Sequence, residues 1–147
     1  MPADYDVLSS ENTTVVLSQT SAMEMTRFGI VTKPSGGTVM INVPVKGVTA
    51  AQASNTLQRY ALLIEAAMRL EGVVGARAEQ DVDGSGLLAD YVVFTVQYAP
   101  ADGDPPGDYT REVRVLTRNL SSDVAFGQYV GGPIADAYAF LRAVVGE

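Results

Sequence analysis

The residues best placed by type and spacing to do chemistry are Asp81, Asp83 and Ser85, followed by Gly86, in the run DVDGSG. Oxygen ligands at positions 1, 3 and 5 with glycine at position 6 make the front half of a calcium loop, the glycine allowing the chain to turn sharply around the ion. The second half is missing. Position 12 falls on Val92, which has no carboxylate, and an alternating apolar run follows where an exiting helix should stand. The expected reading is therefore a turn feeding a strand. Asp102, Asp104 and Asp108 lie in PADGDPPGD, a run of chain breakers whose acids belong to a solvated loop. Gly36-Gly37 and Gly131-Gly132 lack the flanks of phosphate-binding loops and read as a turn and a helix break. The chain has no cysteine and no histidine. That removes thiol catalysis, disulfides, Cys/His zinc sites and every triad that needs imidazole. The expectation is no enzyme, no metal and no cofactor.

The elements that would carry such residues follow from periodicity. Thr49 to Gly72 has the strongest signal. Thr49 and Gln52 have capping-box spacing, Ala53, Leu57, Tyr60, Ala61, Ile64, Ala67 and Met68 share one helical face, and Gly72 stands where a left-handed residue closes the last turn. Roughly 21 residues give a helix about 32 Å long, the width of a small domain. Before it, Thr13–Gln19 and Met23–Lys33 read as strands, Pro34-Ser35-Gly36-Gly37 as a turn, and Thr38–Lys46 as a third strand with Val39, Ile41, Val43 and Val45 on one face. Pro44 places itself at an edge or strand end. After the helix, Val73–Leu88 is left without a regular element. Asp90–Ala99 and Tyr109–Arg118 form a hairpin. Ser121-Ser122-Asp123 starts a helix over Val124–Val130, and Pro133 opens a last helix with Ile134, Ala137, Tyr138, Leu141, Val144 and Val145 inward. The order β-β-β-α-β-β-α-α predicts an α+β fold, an antiparallel sheet with helices on one face. One domain spans residues 1–147, with residues 1–12 a flexible N-terminal arm.

The 147 residues suffice for one core. Hydrophobic residues make up 47%, an ordinary share, but charged residues only 18%, below the usual quarter. A subunit that hides much of its surface against copies of itself would account for that. The net charge of −7 disfavours nucleic-acid binding through overall charge, leaving local stripes. MPADYDVLSSENTT lacks the basic and apolar regions of a signal peptide, and no apolar run is long enough to span a bilayer. The expectation is a soluble protein with no membrane partner. The strands' polar sides carry Thr110, Glu112, Arg114 and Arg118 on one strand, Tyr91, Thr95 and Gln97 on its partner, and Asn42 and Lys46 on the third. Such side chains contact phosphates and base edges, or simply face water.

The segment TVMINVPVKGVTAAQASNTLQRYALLIEA, a strand with a Val-Pro-Val step and a short joint into an Ala-rich helix, resembles the strand-to-helix passage of coat proteins from single-stranded RNA bacteriophages, the leviviruses. REVRVLTRNLSSDVAFGQYVGG is similar in type to that family's last strand and its polar step into helix. The resemblance implies a structural coat protein, made in the bacterial host cytoplasm, that forms an intertwined homodimer and assembles into the icosahedral shell of the virion, enclosing genomic RNA. Carried over, it implies an RNA-facing sheet surface of Asn42, Lys46, Thr95, Gln97, Arg114 and Arg118. In that family the sheet precedes its helices, whereas here a long helix precedes a hairpin. The alternatives are a phage tail or head-completion component building rings or tubes, and a small-molecule-binding α+β domain with its pocket between the Thr49–Leu70 helix and the sheet.

Overall fold

The computed structural model describes residues 5–18, 20–120 and 123–145. Strands β1 (Tyr5–Ser18), β2 (Ser21–Thr32) and β3 (Thr38–Pro44) form one antiparallel sheet; helix α1 (Ala50–Met68) follows; β4 (Val73–Val82), β5 (Leu88–Gln97) and β6 (Thr110–Leu116) form a second. A 3-10 turn (Thr117–Leu120), helix α2 (Asp123–Phe126), a widened π turn (Gly127–Gly131) and helix α3 (Gly132–Val145) complete the chain. The fold is α+β. Three details of the expected layout are corrected. There are two three-stranded sheets in place of one; the stretch after α1 contains a full strand, β4; and Tyr5–Asn12 is paired strand, not a loose lead-in. Residues 1–4 of the expected arm and the Ser121-Ser122 helix start lie outside the described residues.

Helix α1 begins as its spacing requires. The Thr49 hydroxyl accepts from Gln52 N–H at 3.2 Å and the Gln52 side chain accepts from Thr49 N–H at 2.9 Å, satisfying two donors that a bare helix end leaves open. Leu57, Ala61, Ile64 and Ala67 are buried; Ala53, Tyr60 and Met68 pack around them. One apolar core takes Ile30, Val39, Ile41 and Val43 from the first sheet and Val92, Phe94, Val96 and Val115 from the second. The α1 stripe and Val130, Ile134, Ala137 and Leu141 of the C-terminal helices close it. Val45, expected on the buried face, lies past the end of β3 and is 47% exposed.

The helix break expected at Gly131-Gly132 is instead a change of pitch. Gly132 N–H reaches back five residues to Gly127 C=O, and Pro133 follows with no N–H to offer. The wider turn takes up that missing donor and the helix continues. At the other end of the core, Gly72 has φ +89° and lies against the Tyr138 ring, where a Cβ would come within 2.3 Å of Cδ1. This close contact seats α3 against the end of α1.

Candidate functional site: an open strand edge and a polar seam

Two features stand out above the core: the outer edge of β1, and the place where the two sheets, α1 and the β4–β5 turn meet.

The β1–β2 ladder runs from Tyr5↔Thr32 to Ser18↔Ser21, but β3 covers β2 only from Met25 to Val31. The distal end of the hairpin is thus a two-stranded ribbon, a form that is marginal by itself in water. On β1, Asp6 through Asn12 are exposed, with Val7 51% and Leu8 63% accessible. Its outer edge pairs with nothing among the described residues over all 14 residues of the strand. Natural edge strands are usually short or guarded by Lys, Pro or inward charge. β1 contains no Lys or Pro; it has a register shift between Val7 and Ser9.

At the seam, Arg27 (β2), Asn42 (β3) and Asp90 (β5) converge. Arg27 Nη2 donates to Asp90 Oδ1 at 2.5 Å and Asn42 Nδ2 donates to Asp90 Oδ2 at 2.8 Å. Arg27 also lies 3.9 Å from Glu11. Beside it, Ala78 N–H donates to Thr38 Oγ1 at 3.1 Å, tying the free edge of β4 to β3 with no backbone ladder between them. A cleft of about 320 Å³ opens over this cluster between β2–β3, Tyr60 of α1, the β4–β5 turn and the Thr117–Arg118 turn. A second cleft of about 320 Å³ adjoins it, sharing Val15, Asn42, Leu87 and Leu88. Burial pushes the Tyr60 phenol above its usual pKa, with Arg59 pulling the other way.

The half calcium loop is a turn. Asp83 Oδ1 accepts from Ser85 N–H at 2.8 Å and Leu87 N–H at 3.2 Å, and Asp81 pairs with Arg114 at 2.9 Å. Both carboxylates are engaged, and among the described residues no cluster of three or more acidic side chains is arranged to hold a metal.

The six residues of the expected RNA-facing surface do not form one surface. Thr95, Gln97 and Arg114 share a face of the second sheet, since Thr95 pairs with Glu112, Gln97 with Thr110 and Val93 with Arg114. Asn42 belongs to the other sheet and is committed to Asp90; it borders the cleft along with Arg118. Lys46 lies in the exposed bend after β3. On the second sheet's polar face Arg77 pairs with Glu112 at 2.6 Å, and Arg114 bonds Asp81 while its guanidinium sits 4.2 Å from the centre of the Tyr91 ring. Two arginines there face three carboxylates, Glu79, Asp81 and Glu112. Arg114's charge is held up by Asp81 above all, and the Asp81 carboxyl is drawn below its usual range by Val82 N–H and by Arg114.

A buried acid escaped the sequence reading. Glu65, on the inward face of α1, is 6% exposed. It accepts from Thr32 Oγ1 at 2.7 Å, from Ser35 N–H at 3.2 Å and from the Ser35 hydroxyl, clamping the β2–β3 turn to the helix. Burial alone would raise its pKa; the Ser35 and Thr32 hydroxyls, Ser35 N–H and the Arg69 charge together hold it below the usual value. Its helical phase, four residues after the buried Ala61, was the available signal. Comparison with protein-family models, curated proteins and solved structures yields no match.

Proposed function

We propose that this chain is a structural shell subunit: a coat protein that pairs with a second copy through the outer edge of β1, assembles into a closed icosahedral particle and encloses RNA. The observation that carries the reading is that edge. About half of the 14 residues of β1 turn their backbone N–H and C=O outward, to an edge that pairs with nothing among the described residues and whose end opposite Ser21–Glu24 extends beyond β3; a strand added from a neighbour satisfies them. Exposed Val7 and Leu8 supply apolar contact beside the new ladder. The low share of charged residues, 18%, fits a surface that is largely covered in the assembled state. Contact with RNA falls in this reading first to Lys46, exposed in the turn after β3, rather than to Arg114 or Arg118, whose charges are matched by Asp81 and Asp83.

Light scattering coupled to size-exclusion chromatography tests the proposal. The expected result is a dimer or larger species at micromolar concentration, with closed shells in negative stain and RNA recovered from them. A stable monomer of 15.5 kDa overturns it. Rings or tubes would turn the reading to a tail or head-completion component.

A further inference from the structure

Three side-chain atoms among the described residues are buried with no hydrogen-bond partner: Arg27 Nε, Asn42 Oδ1 and Thr117 Oγ1. All three belong to residues lining the two adjoining clefts at the seam. Buried polar atoms are nearly always paired, and such a gathering of exceptions asks what fills the space beside them. The orientation of the Asn42 amide is decided by chemistry: its NH2 must face the Asp90 carboxylate, so Oδ1 is left as an acceptor lacking a donor. Arg27 commits Nη2 to Asp90 and leaves Nε as a donor lacking an acceptor. Thr117, 6% exposed, can give or accept. The charges bordering the clefts cancel, Arg27 against Asp90 and Arg118 against Asp83. Much of the remaining wall is apolar, including Met25, Met40, Ile41, Leu87 and Leu88.

We propose that this cleft binds a small neutral molecule bearing an amide-type group, its N–H donating to Asn42 Oδ1 and its C=O accepting from Thr117 or Arg27. An amide offers a donor and an acceptor side by side without net charge, which the balanced ion pairs here would not reward. The apolar remainder lies against the methionines and Leu87. Leu88, 64% exposed at the mouth, gives way to admit the ligand to the sealed atoms. The volume, about 320 Å³, is at the small end of ligand pockets, which begin near ~300 Å³. The inference rests on the seam alone and is independent of self-assembly.

Benzamide is the probe, with benzoate and benzylamine as charged molecules of matching shape. Saturation-transfer NMR and calorimetric titration on the full chain, in whatever oligomeric state it adopts, read the binding. Saturable binding of benzamide with a Kd on the order of millimolar is expected, with little from either charged probe. Thr117→Val, which keeps the shape and removes the hydroxyl, is expected to weaken benzamide about tenfold, the worth of one hydrogen bond. Leu88→Trp, at an exposed position over the mouth, is expected to abolish it while the protein remains folded. Equal binding of all three probes, no saturable benzamide binding, or full affinity in both variants overturns the proposal and leaves the cleft to ordered water.

Discussion

At the scale of single residues, Glu65 and Gly72 fasten parts of the chain distant in sequence. Because the folded-state pKa of Glu65 is lowered, its contribution to stability is present above the unfolded carboxylate pKa and is lost as pH falls through the folded value. Glu65→Gln keeps one acceptor oxygen but loses the charge, and is expected to cost about 1–2 kcal/mol at pH 7. Thermal melts from pH 7 down to pH 3 check this: the gap between wild type and variant should close in acid. Gly72 separates two contributions. Ala there meets both φ +89° and the Tyr138 ring, whereas Ala at Gly47, φ +80° with open space around, meets the backbone penalty only. Gly47→Ala is expected to lose about 1 kcal/mol and Gly72→Ala about 2–4 kcal/mol. Equal losses in denaturant titrations would mean that Tyr138 moves aside at no cost.

At the scale of elements, legibility followed the source of each element's stability. Helix α1 and strand β3 carry their own signals, a capping box and clean alternation; α1 stands where periodicity put it, and β3 does so as far as Pro44. β4 reads VVGARAEQDV, a composition closer to helix than to strand, and becomes a strand because β5 pairs with it from Val73↔Val96 to Val82↔Leu88. Tertiary pairing of this kind overrides local propensity and leaves no periodic trace. The same holds for Tyr5–Asn12, which has no sustained alternation of apolar and polar residues and is ordered by β2. The seam was illegible for a related reason: Arg27, Asn42 and Asp90 stand on three strands, 63 and 48 positions apart in their two contacts. What sequence did offer was Asn42 as a polar residue within a largely apolar strand, with nothing to point to Asp90 as its neighbour. The β1 edge yields a prediction of its own. Val7→Lys with Leu8→Lys adds the guard charges that the edge lacks, at positions too exposed to matter to the core. The double variant is expected to run as a monomer in size-exclusion chromatography while keeping a single cooperative thermal transition. Unchanged assembly would move the interface elsewhere.

At the scale of the whole molecule, the topology is used twice: a three-stranded meander followed by a helix, then a second meander followed by helices. Both meanders and both long helices feed one core, so neither half has an apolar interior independent of the other. What distinguishes the halves is their outward chemistry. The first sheet ends in an open, weakly charged edge; the second presents a cross-strand lattice of ion pairs with a carboxylate to spare. With a net charge of −7, copies of this chain repel one another wherever they meet. Cohesion through a backbone ladder and apolar contact should therefore strengthen as salt screens that repulsion. Raising ionic strength from about 0.01 M to about 0.15 M shortens the Debye length from ~30 Å to ~8 Å. RNA-free protein is expected to shift toward larger species over that interval, followed by static light scattering at fixed protein concentration. Under the proposed reading, contacts to RNA phosphates would weaken over the same interval, because salt removes the gain from counterion release. Assembly of the bare protein that instead falls apart as salt rises would place its cohesion in ion pairs between subunits, and the β1 edge would no longer be the joint.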